Sequence, residues 1–399
     1  MVEIADTAAG RHASRRDGAS ARARSAEQRR DAPCPLTQVD PRQWQDLSER
    51  AIEPNGYYLP DWKLSVSASA RGRTGAMALC AFADAPPSRL IGLMPVVSLW
   101  RAWRIPLPAL VSAHPYGTLC SPLLDRDAAV DAAARLLMQA RNAGAHALVL
   151  RDVALDGPAM NALVEAMRRD GLAPRVLQSY ARASLDATQS ADQLLRDALG
   201  GKKLKELRRQ RNRLAEHGIV SFDVARTREE VEAALETFLQ LEASGWKGKR
   251  GTALVQNDGD ATFIRRAAPA LAETGQCEII TLRAGQTQVT SGIVLRHQDR
   301  AFFFKLGIDE RFAKYSPGVQ LTLELTHHLC ADPAIASADS TASADHPMIN
   351  PIWRGRFAIG DVLVPLRRND PMVALIHAML VARGSLREFA RRALRLIRK

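Results

Sequence analysis

The sequence is short of cysteine and of long apolar runs, and each shortage excludes a class of protein. Five cysteines stand in 399 residues, an odd number without a C-x-x-C pair, so neither a disulfide framework nor a cysteine zinc site is indicated. The longest apolar run, 90–100, contains Pro95 and falls far short of the ~20 residues that a membrane-spanning helix needs. We therefore expect a protein of the reducing cytoplasm.

The N-terminal stretch lacks the apolar segment of a signal peptide. Residues 1–33 hold seven arginines and five acidic residues among many alanines and serines. A segment of this composition does not bury enough apolar surface to fold. The sequence predicts a disordered tail at 1–33.

Positive charge is what the chain has in excess. Its 55 Lys and Arg against 43 Asp and Glu give a net charge of +12. Such a balance favours an anionic partner, which could be a phosphorylated cofactor, an acidic polymer, a membrane surface or nucleic acid. No recognition-helix motif accompanies the charge, so we do not expect DNA to be the partner.

Strand and helix patterns repeat along the chain in a similar order. Each half alternates amphipathic helices with short apolar strands, which predicts a mixed α/β (α+β) fold built from two copies of one unit. We expect an N-terminal lobe at 34–195, a C-terminal lobe at 196–370 and a basic helical tail at 371–399.

The stretch 301–330 combines a buried strand with a buried helix. Between them lies Tyr315-Ser316-Pro317-Gly318, with Ser316 predicted as the helix N-cap and Pro317 as its first residue. Free amides at a helix N-terminus favour an anion. A capped helix start with no ligand explains the same residues.

Several short motifs stand out in the second half of the chain. They are the basic stretch 203–214, F-x-x-L-E-x-x-G-W-K-G at 238–248, F-K-L-G-I-D-E at 304–310, Y-S-P-G at 315–318, D-S-T-A at 339–342, H-P-M-I at 346–349, and Trp353. These motifs resemble those of the CelD/BcsL-type acetyltransferases, a GNAT family associated with bacterial cellulose and exopolysaccharide synthesis, and the resemblance covers roughly 36–366. The chain is also similar to the tandem-GNAT Fem transferases, which add amino acids to cell-wall precursors.

The resemblance implies a tandem GNAT-like fold and acyl transfer from acetyl-CoA or another acyl-CoA. In the GNAT fold the cofactor pyrophosphate binds between the fourth strand and the next helix. The usual Arg/Gln-x-x-Gly-x-Gly/Ala pattern is absent at that place, which leaves another acyl donor open. The residues expected to bind the cofactor are Lys305, Tyr315, Ser316, Pro317, Gly318 and Val319.

Acyl transfer needs a base and donors that stabilise an oxyanion. The candidate catalytic residues are Glu242, Asp309, Asp339 and His346. The candidate substrate-binding residues are Trp246, Lys247, Ser340, Thr341 and Trp353. For each there is an ordinary structural alternative, such as a solvated helix end for Glu242, a Lys305–Asp309 salt bridge, or a plain turn at His346. His327 and His328 lack the spacing of a metal pair, so no metal site is predicted.

The function that follows is acyl-CoA-dependent N- or O-acyl transfer to a saccharide or amine acceptor, as in an exopolysaccharide or cellulose precursor. Two alternatives stay open: a Fem-like aminoacyl transferase that uses charged tRNA, and a catalytically inactive scaffold for polysaccharide synthesis.

The C-terminal segment 385–399 is amphipathic and basic, which fits either contact with an anionic membrane or docking on the domain.

Overall fold

The computed structural model describes residues 32–84 and 88–397, so residues 1–31 of the predicted tail lie outside the described part. Within these two ranges no helix is both long enough and apolar enough to cross a bilayer. The strands are β1 Cys34–Pro35, β2 Met77–Phe82, β3 Leu90–Ser98, β4 Ala109–Ser112, β5 Leu123–Leu124, β6 Ala147–Ala154, β7 Arg175–Asp186, β8 Val220–Ala225, β9 Cys277–Ala284, β10 Thr287–His297, β11 Arg300–Ile308, β12 Ser337–Asp339 and β13 Gly355–Pro365. The helices are α1 Pro41–Glu49, α2 Pro60–Ser69, α3 Leu99–Trp103, α4 Ala129–Asn142, α5 Pro158–Arg169, α6 Ala191–Leu214, α7 Arg228–Ser244, α8 Trp246–Lys249, α9 Asp258–Glu273, α10 Pro317–Cys330 and α11 Pro371–Ile397.

All of these strands belong to one mixed sheet, in the order β1-β2-β3-β4-β6-β13-β7-β12-β11-β10-β9-β8, with β5 paired to β3. Most neighbours are antiparallel. The parallel pairs are β4 with β6 in the first half and β11 with β12 in the second. The same pattern in both halves is that of a tandem GNAT-like fold, as the sequence predicts.

The two halves exchange strands at the middle of the sheet. Strand β13, from the end of the second half, lies between β6 and β7 of the first, and Ile359 is opposite both Ala154 and Tyr180. Strand β7 in turn pairs with β12 of the second half. Each half therefore needs a strand from the other to complete its sheet, and the lobe boundary at 195/196 stays a prediction.

Helices cover the sheet and bury its apolar faces. In the first half, Leu136 of α4 and Leu163 of α5 pack in one cluster with Leu148 of β6. In the second, Phe238 of α7 and Phe263 of α9 join a cluster that includes Trp62 from α2. Because α2 belongs to the first half, this core also joins the two halves.

The start of α7 is fixed by a hydrogen-bonded pair of residues that are close in the sequence. Thr227 accepts a hydrogen bond from the amide of Glu230, whose carboxylate accepts one from the amide of Thr227, which completes a capping box. The basic stretch 203–214 forms the second part of α6, which starts at Ala191 and has a non-helical kink at Gly200. Strand β7 is one long strand, because β13 pairs along nearly its whole length.

Candidate active site

A cavity opens where β11 and β12 part. The strands are paired at only three positions, ending at Phe302 opposite Asp339. Beyond this pair β11 runs on to Ile308, whereas the chain leaves β12 and turns at Thr341, which has a φ of 51°. The Thr341 hydroxyl holds the turn by donating to the Phe303 carbonyl oxygen at 2.6 Å. The space beyond is a cavity of about 690 Å³.

Seven of the sequence-predicted site residues lie in the wall of this cavity. They come from α7, α8, β11 and the segment after β12, which are far apart in the chain. They are Glu242, Trp246, Lys247, Lys305, Ser340, Thr341 and His346.

Glu242 holds two lysines at the cavity wall. Its Oε1 accepts from Lys305 Nζ at 3.0 Å and from Lys247 Nζ at 3.2 Å, while Oε2 accepts from the amide of Leu254 at 2.8 Å. Burial raises the pKa of the Glu242 carboxyl, but the two ammonium groups outweigh it and the pKa lies below its ordinary value. The three side chains together carry a net positive charge, which suits an anion or a polarised carbonyl oxygen.

Gly307 allows this cluster to form. A Cβ at this position would lie 3.0 Å from the amide nitrogen of Glu242 and 3.3 Å from Leu241 Cβ. The glycine therefore lets the end of α7 pack directly against β11 and brings Glu242 within reach of Lys305.

The Lys247 ammonium also donates to the Leu306 carbonyl oxygen at 2.9 Å. Burial, together with the charge of Lys305, lowers the pKa of Lys247, although Glu242 opposes the change. This lysine thus loses its proton more readily than an exposed one.

His346 is half-buried in the cavity wall, and its Nδ1 has no hydrogen-bond partner among the described residues. Burial, and then the charge of Lys247, lowers the pKa of the imidazole below 6.5. The ring is therefore neutral at pH 7, and a neutral imidazole can accept a proton.

Asp339 lies next to the cavity but is fully engaged by Arg182. Its Oδ1 accepts from Arg182 Nε at 2.7 Å and from the amide of Thr341 at 2.8 Å, and its Oδ2 accepts from Arg182 Nη2. Arg182 also donates to the carbonyl oxygen of Thr118. The pair is buried, with side chains 0% and 1% exposed. It fixes the turn into the cavity wall and joins β7 to β12.

Asp309 faces a different groove. Its carboxylate accepts from the amide of Arg311 at 3.0 Å and from the guanidinium at 2.7 Å. The Arg311 hydrogen bond, despite partial burial, holds the pKa of Asp309 below its usual range. The structure therefore does not bring Asp309 to the other predicted catalytic residues.

The predicted pyrophosphate turn is covered. Helix α10 does begin at Pro317, but Ser316 is left-handed, with a φ of 53°, and its hydroxyl makes no capping hydrogen bond. A Cβ on Gly318 would lie 2.7 Å from Met348 Sδ and 3.1 Å from Ile308 Cδ1. Met348 thus packs over the start of the helix, and the wall of the large cavity does not include 315–319.

The aromatic candidates differ in exposure. Trp246 is 53% exposed beside the cavity, with the guanidinium of Arg250 5.0 Å from its ring centre. Trp353 is buried, and its Nε1 donates to Thr326 Oγ1 at 2.9 Å. Trp246 can contact a ligand, whereas Trp353 belongs to the core.

Sequence reasoning missed Arg182 and Met348. Arg182 lies in the first half, 157 positions from Asp339, so no local pattern links the two. A charged residue at a buried strand position does call for a partner of opposite charge, and this was the one available signal. Met348 lies in a recognised motif, but nothing in its neighbours indicates that it packs on Gly318.

Comparison with known proteins agrees with the fold. The acetyltransferase (GNAT) domain model matches residues 201–346. No curated protein matches the sequence significantly. FemX has 12% identity and a TM-score of 0.55 over 85% of this chain and 99% of its own. The C-terminal domain of a putative lysylphosphatidylglycerol synthetase from Agrobacterium fabrum has 14% identity and a TM-score of 0.52, over 86% of this chain and 95% of its own. Residues 201–346 thus match a GNAT acetyltransferase domain, and the chain as a whole has the fold of FemX and of the synthetase domain.

Proposed function

We propose that the cavity between β11 and β12 transfers an acyl group from an activated donor to an amine or hydroxyl. One observation carries this proposal: two lysine ammonium groups and a neutral imidazole lie in the wall of the same cavity. Ammonium groups stabilise the oxyanion that develops on an attacked carbonyl, and a neutral imidazole accepts the proton of the attacking group.

Each residue then has a defined role. The acceptor nitrogen or oxygen attacks the acyl carbon and passes its proton to His346. The carbonyl oxygen gains negative charge beside Lys247 and Lys305. As the carbonyl re-forms, the bond to the leaving group breaks, and the leaving sulfur or oxygen takes the electron pair and then the proton from His346. Glu242, expected from the sequence as a base, is proposed instead to position the two ammonium groups, because a carboxyl with a lowered pKa is a weak base.

Acyl-CoA is the first candidate donor, because the matched domain is a GNAT domain. Lys305 is the predicted cofactor residue that lines the cavity. With Met348 over Gly318, the donor's diphosphate would be held by other cations or would displace Met348. Acetyl-CoA is therefore proposed as one member of a wider class of acyl thioesters.

An aminoacyl donor is the second candidate, and the covered helix start favours it, since an aminoacyl ester needs no diphosphate site at Gly318. FemX and the lysylphosphatidylglycerol synthetase domain share this fold, and the sequence is similar to the Fem transferases. The net charge of +12 suits a nucleic acid donor such as charged tRNA.

For the acceptor we propose a saccharide of an exopolysaccharide or cellulose precursor, supported by the CelD/BcsL-type motifs that include His346 and Lys247. If the acceptor is instead an amine or a lipid headgroup, the substrate of this chain differs from the saccharide that the CelD/BcsL-type motifs suggest. An inactive scaffold would bind partners without transferring an acyl group.

Thermal unfolding with a panel of donors tests the proposal, because a ligand that binds the folded state raises Tm by mass action. The donors are acetyl-CoA, a long-chain acyl-CoA and an aminoacylated tRNA, and acyl transfer to aminosugars is followed by mass spectrometry. Lys247→Met and Lys249→Met form a matched pair, because both lysines lie on α8 but their side chains are 20% and 69% exposed. We expect one donor class to raise Tm, with the effect lost in K247M and kept in K249M. No shift and no transfer with any donor would contradict an acyl-transfer site.

A further inference from the structure

Helix α11 is docked on the protein by one face. Val373, Ile376 and Leu380 are at most 8% exposed. They pack in one cluster with Val149 of β6 and Leu363 of β13. This contact fixes the direction in which the rest of the helix faces.

A second apolar stripe runs along α11 on another side. Leu375, Met379, Leu386 and Phe389 are 48%, 43%, 69% and 73% exposed. At ~100° per residue these four positions fall within an arc of about 80°, turned away from the docked residues. Four large apolar side chains at such exposure are more than scattered surface residues.

The charge of the same segment indicates what covers the stripe. From residue 383 to 399 the sequence has seven Lys or Arg and a single acid, Glu388. A second copy of the chain would bring two such cationic segments together, which is unfavourable. A free polyanion would match the charge but not the apolar side chains. An anionic lipid surface matches both.

We propose that the Leu375–Phe389 stripe of α11 docks on an anionic lipid bilayer and that the helix lies in the plane of the interface. The apolar side chains enter the boundary between headgroups and acyl chains, and the neighbouring arginines contact lipid phosphates. This places the acyltransferase at a membrane surface without a spanning segment among residues 32–84 and 88–397.

Vesicle sedimentation of the full chain tests the proposal. The probes are vesicles of phosphatidylcholine alone and of phosphatidylcholine with phosphatidylglycerol in equal parts. The test variant is Leu386→Glu with Phe389→Glu. Val381→Glu is the matched control, because Val381 is also exposed on α11, at 49%, but lies about 120° from the stripe. Unchanged Tm in both variants would show that folding is intact.

We expect the wild-type protein and V381E to bind the anionic vesicles, and the double variant to bind at least about tenfold more weakly. High salt should weaken the binding but not abolish it, because the apolar contribution is not screened. Equal binding by the double variant, or no binding of wild type, would overturn the proposal. A doubled mass in solution that the double variant abolishes would instead assign the stripe to a second copy of the chain.

Discussion

Each half of the molecule sets a parallel pair of strands in a largely antiparallel sheet, but the halves use the space beyond the pair differently. In the first half, past β4, Lys63 is fully buried and donates to the carbonyl oxygens of Ala113 and His114, both at 3.2 Å. In the second half, past β11, Lys247 and Lys305 share Glu242 at the wall of a cavity of about 690 Å³. Beyond the parallel pair, the first half places a buried lysine against backbone carbonyl oxygens, and the second half has a cavity lined by two lysines.

The difference shows what a buried lysine needs in order to keep its positive charge. Carbonyl oxygens accept hydrogen bonds but carry no net charge, so burial lowers the pKa of Lys63 to about 7. A carboxylate offsets the cost of burying an ammonium group, so the second half can hold two lysines beside a cavity.

The two histidines repeat the contrast. His114 Nδ1 accepts from Arg73 Nε at 3.2 Å and from the amide of Tyr116 at 3.0 Å, whereas His346 Nδ1 has no partner in the described part of the chain. His114 belongs to the packing, whereas His346 lines the cavity, where we propose that it meets the substrate.

The largest expected effect comes from replacing His346, and His114 in the first half provides the comparison. His346→Asn should lower kcat/KM by about 10²- to 10⁴-fold, the usual contribution of a general base. His114→Asn is the matched variant in the first half and should leave kcat/KM near the wild-type value, whatever it does to Tm. Steady-state kinetics with the donor found in the thermal panel measures both. Equal losses of kcat/KM in the two variants would contradict the proposal that only the second half supplies the base.

The second prediction concerns the ion pair that joins the halves. Arg182→Ala leaves the Asp339 carboxylate buried without its partner and should cost about 3–5 kcal/mol of unfolding free energy. The control is Arg265→Ala, which removes an exposed ion pair with Glu236 and should cost several times less. Chemical denaturation followed by circular dichroism gives both values. A cost for R182A as small as that of the control would show that the pair does not hold β7 to β12.

The third prediction sharpens the account of Lys63. The pKa of Lys63 is about 7 in the folded protein, against 10.5 for an unperturbed lysine, so the unfolded chain binds more protons between these pH values. Stability should therefore rise with pH through this window, by on the order of 2 kcal/mol between pH 7 and pH 9. Lys63→Met should remove this part of the pH dependence. Parallel stability curves for the wild type and K63M would contradict the assignment.

The smallest effect is a shift in the pH profile of activity. A base must be deprotonated to act, so activity should fall as pH drops through the His346 pKa, which lies below 6.5 because of burial and Lys247. Lys247→Met removes the nearby positive charge and should move the acidic limb of kcat/KM to higher pH, while K249M should not. If the pH profiles of the wild type and K247M coincide, the charge of Lys247 does not affect the pKa of His346.

The sequence predicts the fold class and many residues of the candidate site, because those signals are local or carried by motifs. The Thr227–Glu230 capping box, the helix start at Pro317 and the motifs around Lys247, Lys305 and His346 are each contained within a few residues. Once α7 and β11 are placed, Gly307 brings Glu242 to Lys305.

What the sequence could not predict depends on contacts between distant segments. The pairing of β13 with β6 joins residues about 200 positions apart, and periodicity within each strand does not specify a partner. The engagement of Asp339 by Arg182 and the cover of Met348 over Gly318 likewise arise only when distant segments meet. The Arg182 and Met348 contacts separate Asp339 and residues 315–319 from the cavity-lining residues.

A crystal structure of the protein with a bound acyl donor tests the central claim most directly. Crystals are soaked in parallel with acetyl-CoA and with a non-hydrolysable amide analogue of a 3′-aminoacyl adenosine. The account predicts that one of them places its carbonyl oxygen within hydrogen-bond distance of Lys247 or Lys305, with the carbonyl carbon open toward His346. A donor carbonyl bound in any other groove, with this cavity left vacant, would contradict it.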